Sequence, residues 1–191
     1  MGVRSNRAAR LAALTVTLIG AAGCASLNIG SYLAGGADLR EYHTYAWGPS
    51  DPRATGDPRL DSNPFVEERV REQIETGLNR HGFEPVNSAS PDLFLHYHLI
   101  VSQTIDAREL DNPYGFCDEF ERRPCVYDAG TLFIDLVDGR TNTLVWRGWS
   151  EGRLDFVIDD QTAMEIRIDD TVDRILRKLP SVLQSATPSG R

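Results

Sequence analysis

One lysine, Lys178, stands among 20 basic residues, and the 191-residue chain holds only three cysteines and four histidines. No apolar run reaches the roughly 20 residues that cross a bilayer as a helix. Each scarcity excludes something. With 20 basic against 28 acidic side chains the net charge is −8, so the cationic footprint that nucleic acid or anionic head groups require is missing. His43, His81, His96 and His98 all precede Ser150, so no histidine follows that serine.

What is present begins with the leader. Arg4, Arg7 and Arg10 precede twelve uncharged, mostly apolar residues from Leu11 to Ala22, and Gly20-Ala21-Ala22-Gly23 runs into Cys24. A basic segment, a short apolar segment and small residues make a secretory signal peptide. The cysteine directly after the small residues resembles the lipobox of bacterial lipoproteins, with Ala21 where Leu is commonest. That resemblance implies a diacylglyceryl group on the Cys24 thiol, cleavage before Cys24 and acylation of the new amine. Each buried methylene contributes about 0.8 kcal/mol, so several acyl chains hold what one holds marginally. Ala25 in place of Asp implies, by the same resemblance, the periplasmic face of the outer membrane. Removal of residues 1–23 takes away three arginines and no acid, leaving a net charge of about −11.

Two other cysteines remain. In an exported chain Cys117 and Cys125 are most simply one disulfide, and its short loop gives about 2–3 kcal/mol on the chain-entropy view. Their seven intervening residues do not match the Cys-x-x-Cys unit of redox or metal pairs.

Residues 25–37 are small and polar, which predicts a flexible tether spanning about 20 Å. Alternation predicts a first strand from Asp38 to Trp47. Ser62-Asn63-Pro64 starts a helix with the stripe Val66, Val70, Ile74 and Leu78, and Gly82 ends it. Gly77 within it costs about 1 kcal/mol or marks close packing. A strand over 93–101 turns Leu93, Leu95, Tyr97, Leu99 and Val101 to the core and Phe94, His96, His98 and Ile100 away. A long irregular stretch, 102–130, follows. Residues 131–137 and 142–150 form a hairpin turning at Asp138-Gly139-Arg140-Thr141, and 153–158 forms one more strand. Asp159 or Asp160 caps a final helix reaching about Leu183. The expected fold class is α+β, a mostly antiparallel sheet with two helices packed on one face. The expected domain runs from 38 to 184, with a disordered tail over 185–191.

The ordered set Thr44-Tyr45-Ala46-Trp47, Pro91-Asp92-Leu93 with His96-Tyr97, Gly130-Thr131-Leu132 with Asp135-Leu136-Val137-Asp138, Leu144-Val145-Trp146-Arg147-Gly148, and Ile175-Leu176 to Leu179-Pro180 resembles a bacterial lipoprotein family known as domain of unknown function 4136. The resemblance covers about 38–183. It implies an exported, lipid-anchored α+β domain and brings no catalytic residues or cofactor.

Three patterns invite chemistry. Gly148-Trp149-Ser150-Glu151-Gly152 matches the nucleophile elbow, but that pattern needs a helix after it and a histidine later in the chain. His96-x-His98 on one strand face supplies two ligands of the three or four that zinc requires. Asp135 and Asp138 lie near a hairpin, where Asp before Gly ordinarily serves the turn. Trp146 and Trp149 point to opposite faces, so one lies outside the helix-covered core. The expected function is therefore a membrane-anchored, non-catalytic binding or structural module of the envelope, contacting a protein partner and no nucleic acid. Its expected surfaces are the helix-free sheet face and the 102–130 loop with Tyr114, Phe116, Phe120, Arg122 and Arg123. The alternative is a small metal-binding or hydrolytic protein using His96 and His98.

Overall fold

The computed structural model describes residues 27–49, 54–61, 63–88, 90–105, 126–154 and 157–180, and the backbone of 116–118 and 123–124. In chain order the elements are β1 (Asn28–Leu33), a short 3-10 turn (Leu39–Glu41), β2 (Thr44–Trp47), α1 (Pro64–Arg80), β3 (Glu84–Pro85), β4 (Leu93–Ile105), β5 (Phe116–Asp118), β6 (Arg123–Pro124), β7 (Val126–Asp138), β8 (Leu144–Arg153) and α2 (Gln161–Leu176).

The local signals explain the helices. Asn63 Oδ1 accepts the Phe65 backbone N–H at 3.1 Å, Pro64 opens the first turn, and Gly82 leaves the helix at a φ of 91°. Asp160 Oδ1 accepts from Ala163 N at 3.0 Å to start α2. That helix ends at Leu176, a turn or more before the expected Leu183. Val66, Val70, Ile74 and Leu78 of α1 and Met164, Ile168, Val172 and Ile175 of α2 share one core with Tyr45, Leu93, Leu95, Leu132, Ile134, Leu136 and Trp146. Gly77 is buried where a Cβ would meet Leu176 of α2, so it marks the close helix–helix approach.

The six main strands are ordered β1-β8-β7-β4-β2-β3. β1–β8, β8–β7 and β7–β4 are antiparallel, whereas β4–β2 and β2–β3 are parallel. The sheet is mixed, which corrects the expectation of a mostly antiparallel one. The reason lies in α1: a helix crossing between β2 and the next strands returns the chain to the end where it started, and neighbours joined that way run parallel. Asp92 pins the first parallel pair, accepting the backbone N–H groups of His43 and Thr44 and the Thr44 hydroxyl at 2.9 Å each.

The expected tether is corrected in part: Asn28–Leu33 is edge strand β1, paired along its whole length with Leu33 opposite Trp146 and Asn28 opposite Glu151. Gly30 lies under the Trp149 ring, where a Cβ would collide, so the glycine that made this stretch look like linker is what lets the strand approach. The long irregular stretch also shrinks. β4 and β7 pair over thirteen residues each, from Leu93–Asp138 to Ile105–Val126. β8 ends at Arg153 and Val157–Asp159 is turn, so the further strand expected over 153–158 does not form among the described residues.

Gly148 of β8 sits against Trp146 and Ile175, which are 1% and 0% exposed. Gly148→Ala is expected to lower stability by about 1–3 kcal/mol through overpacking, measured by urea denaturation, with the m-value unchanged.

Candidate functional site

The helices cover one face of the sheet; on the other, alternation and register place a compact array. Across β4, β7, β8 and β1 one row reads His96, Asp135, Arg147, Tyr32, and the next reads His98, Phe133, Trp149, Gly30. Phe94 and Val137 flank the first row.

Asp135 is the centre. It is only 5% exposed although no helix covers it, because the side chains of both rows close around it. Arg147 answers its charge with two parallel bonds, Nε to Oδ1 at 2.6 Å and Nη2 to Oδ2 at 2.5 Å. Such bidentate pairs are the strong, directional kind. The hydrogen bond from Arg147 to Asp135 raises the guanidinium's affinity for its proton. The same guanidinium lies 5.4 Å from the Phe133 ring centre. His98 Nε2 is 4.0 Å from Asp135 Oδ2, and the His96 ring lies over Gly48.

His98 is thus brought near a carboxylate, whereas the His96 ring leans over Gly48. Both oxygens of that carboxylate are nevertheless engaged by a cation, which opposes a second one. Among the described residues no three His, Cys, Asp or Glu side chains are arranged to hold a metal ion.

The remaining sequence candidates separate. Ser150 of the elbow-like pattern is 2% exposed and lies mid-strand on the helix-covered face. Its hydroxyl, without a partner among the described residues, borders an apolar cavity of about 50 Å³ that also touches Leu27, Leu132 and Met164. A strand, not a strand-turn-helix corner, carries it, so the nucleophile reading fails. Trp146 is core, and Trp149 is on the open face, as their parity requires. Asp138 serves the turn: its Oδ1 accepts the backbone N–H groups of Arg140 and Thr141 at 2.8 Å each, and Oδ2 accepts the Tyr42 hydroxyl at 3.0 Å. Cys24, Tyr114, Phe120, Arg122 and Cys125 lie outside the described residues. For Phe116, Cys117 and Arg123 the backbone is described, in the hairpin where Phe116 opposes Pro124 and Asp118 opposes Arg123.

The fold and this face define a small mixed α+β domain with a helix-covered core and a charged, aromatic open face. The sequence pattern of the family described as domain of unknown function (DUF4136) matches residues 31–181, and the chain belongs to that family. Its fold is similar to the crystal structure of a DUF4136 family protein from Bacteroides thetaiotaomicron, at 12% identity and a TM-score of 0.51, covering 82% of this chain and 97% of that one. It is also similar to part of a PDZ domain protein from Parabacteroides distasonis, at 13% identity and a TM-score of 0.52. There the match covers 81% of this chain and 36% of that one, so this chain spans about a third of its length. No curated protein matches the chain.

Two predictions follow from this geometry. Arg147→Met strands a desolvated carboxylate and is expected to cost about 2–4 kcal/mol, less than a fully buried pair because Arg147 is 40% exposed. Asp135→Asn with Arg147→Met together should cost less than Arg147→Met alone, which a double-mutant cycle by chemical denaturation measures. The second concerns acid. The Thr141 backbone N–H, then that of Arg140, and the Tyr42 hydroxyl hold Asp138 down from 3.8 to about 2. A depressed carboxylate stabilises fully above its unfolded value and stops doing so as pH falls through its folded one. The melting temperature should therefore fall between about pH 4 and pH 2, and Asp138→Asn should be less stable at neutral pH with a shallower fall in that window.

Proposed function

We propose that the chain is a lipid-anchored envelope lipoprotein whose domain is a non-catalytic binding module, with the open sheet face as its contact surface. The observation that carries this reading is the array around Asp135. Phe94, Phe133 and Trp149 are partly exposed on a face no helix covers, beside an arginine already oriented by a carboxylate. Aromatics with arginine are the residues enriched at interface centres. A pre-set guanidinium loses little further freedom on binding. The lipobox-like segment that precedes the domain supports export. The metal or hydrolytic alternative would require Asp135 to release Arg147.

Mass spectrometry of the amino-terminal peptide from protein made in a bacterial envelope is expected to show a triacylated Cys24. Crosslinking in intact envelopes is expected to capture a partner that Phe133→Ala/Trp149→Ala loses while the circular dichroism spectrum is kept. Capture unchanged by that double substitution would overturn the face as the contact surface. Stoichiometric zinc lost in His96→Ala/His98→Ala would instead favour the alternative.

A further inference from the structure

The two edges of the sheet are guarded differently. β3, at one edge, is two residues long and consists of Glu84 and Pro85. β1, at the other, is six residues with no charge, no proline and no shift in its register with β8. Charge, proline, bulges and brevity are the devices that keep an edge from taking up another strand. β1 has none of them.

The register fixes which groups β1 presents. Ala34 N donates to Val145 O at 2.8 Å, continuing the pairing of Leu33 with Trp146. In an antiparallel pair such residues direct both backbone groups at the partner strand, and the residues between them direct theirs away. Gly30, Tyr32 and Ala34 therefore serve β8, whereas Ile29, Ser31 and Leu33 turn N–H and C=O outward. Among the described residues no backbone group meets them there. The side chains of Tyr32 and Leu33 are 51% and 40% exposed at the same edge.

Helix α2 gives this edge a charge. α1 touches β3, while α2 lies over β8 and β1. Glu165, Asp169 and Asp173 of α2 are on its α1 side, where Arg69 and Arg80 meet them. At about 100° per residue the opposite flank, toward β1, carries Arg167, Thr171 and Arg174, and the closing turn adds Lys178. Gly152 lies against Arg167 and Gly148 against Ile175, so the helix takes Arg167 to the Asn28 end of β1 and Lys178 to the Leu33 end. The rise from Arg167 to Lys178, at about 1.5 Å per residue, and the length of β1, at about 3.3 Å per residue, are each roughly 17 Å. The cations thus span the edge. Asp170 holds Arg174 at 2.7 Å, but no carboxylate among the described residues is within ion-pair distance of Arg167 or Lys178.

We infer that β1 is a docking edge for an extended acidic segment of a partner protein. The segment adds a strand beside β1 and sets carboxylates on alternate residues beneath Arg167, Arg174 and Lys178. Main-chain bonds to Ile29, Ser31 and Leu33 supply affinity, and the alternate side chains supply selection. A second copy pairing β1 to β1 would bring two cationic flanks together, which opposes it. This edge is distinct from the open face around Asp135 and depends on neither that surface nor a lipid anchor.

The probe is the peptide acetyl-TEVEVEVT-amide, titrated into the full-length protein with TQVQVQVT and TKVKVKVT as neutral and basic counterparts. The acidic peptide is expected to bind, and the neutral one to bind about tenfold more weakly. The basic one should not bind. Arg167→Gln/Arg174→Gln/Lys178→Gln should weaken the acidic peptide about tenfold and leave the neutral one unchanged. By NMR, amide exchange at Ile29, Ser31 and Leu33 should slow on binding, while that at Gly30 and Tyr32, already bonded to β8, stays as it was. Equal affinity for the acidic and neutral peptides, or acidic binding without protection at those three amides, overturns the inference. So does a lack of acidic binding, or protection of the three amides by a concentration-dependent dimer or by phosphatidylglycerol vesicles in place of the peptide.

Discussion

The long antiparallel ladder between β4 and β7 is the constraint from which the rest of the domain follows. Thirteen consecutive pairs give the sheet two faces with opposite needs. Leu93, Leu95, Ile134 and Leu136 require cover, and α1 and α2 supply it with their apolar stripes. The intervening residues, Phe94, His96, Phe133 and Asp135, fall on the other side and receive none. Core and open face are two consequences of one pairing.

On the open face, electrostatics ties register to stability. Asp135 has His96 across one ladder and Arg147 across the other. A slip of one residue in β8 would leave the carboxylate without its guanidinium and turn Trp146 out of the core. A desolvated ion pair contributes modestly to net stability but penalises every arrangement that breaks it. It also leaves a cation fixed in place on a surface otherwise built from aromatic rings.

Local signals were legible because they depend on neighbours a few residues away. The Asn63 and Asp160 caps, Pro64, Gly82 and both helix stripes are of this kind. So is the strand parity that sends Trp146 and Trp149 to opposite faces. The Asp135–Arg147 pair was not legible. A tight turn at 138–141 would set Val137 opposite Asn142 and place Asp135 against Leu144. The actual connection is longer, passes through Asn142 at a φ of 55°, and shifts register between Leu136 and Val137, which brings Arg147 across from Asp135. Strand β1 escaped notice because glycine and small polar residues signal linker when read alone; Trp149, distant in sequence, makes Gly30 a packing position.

The sequence by itself determined the acidic balance, the basic and apolar run before Cys24, the two amphipathic helices and the two-sided alternation of the long strands. These rest on composition and on periods of 3.6 and 2, which belong to the chain wherever it lies. Tertiary structure alone decided that β2 and β4 run parallel, that β1 joins the sheet, and that His98 and Arg147 meet at Asp135. Each of those depends on which distant strand becomes a neighbour and in what register, and that choice is made by burying a common core.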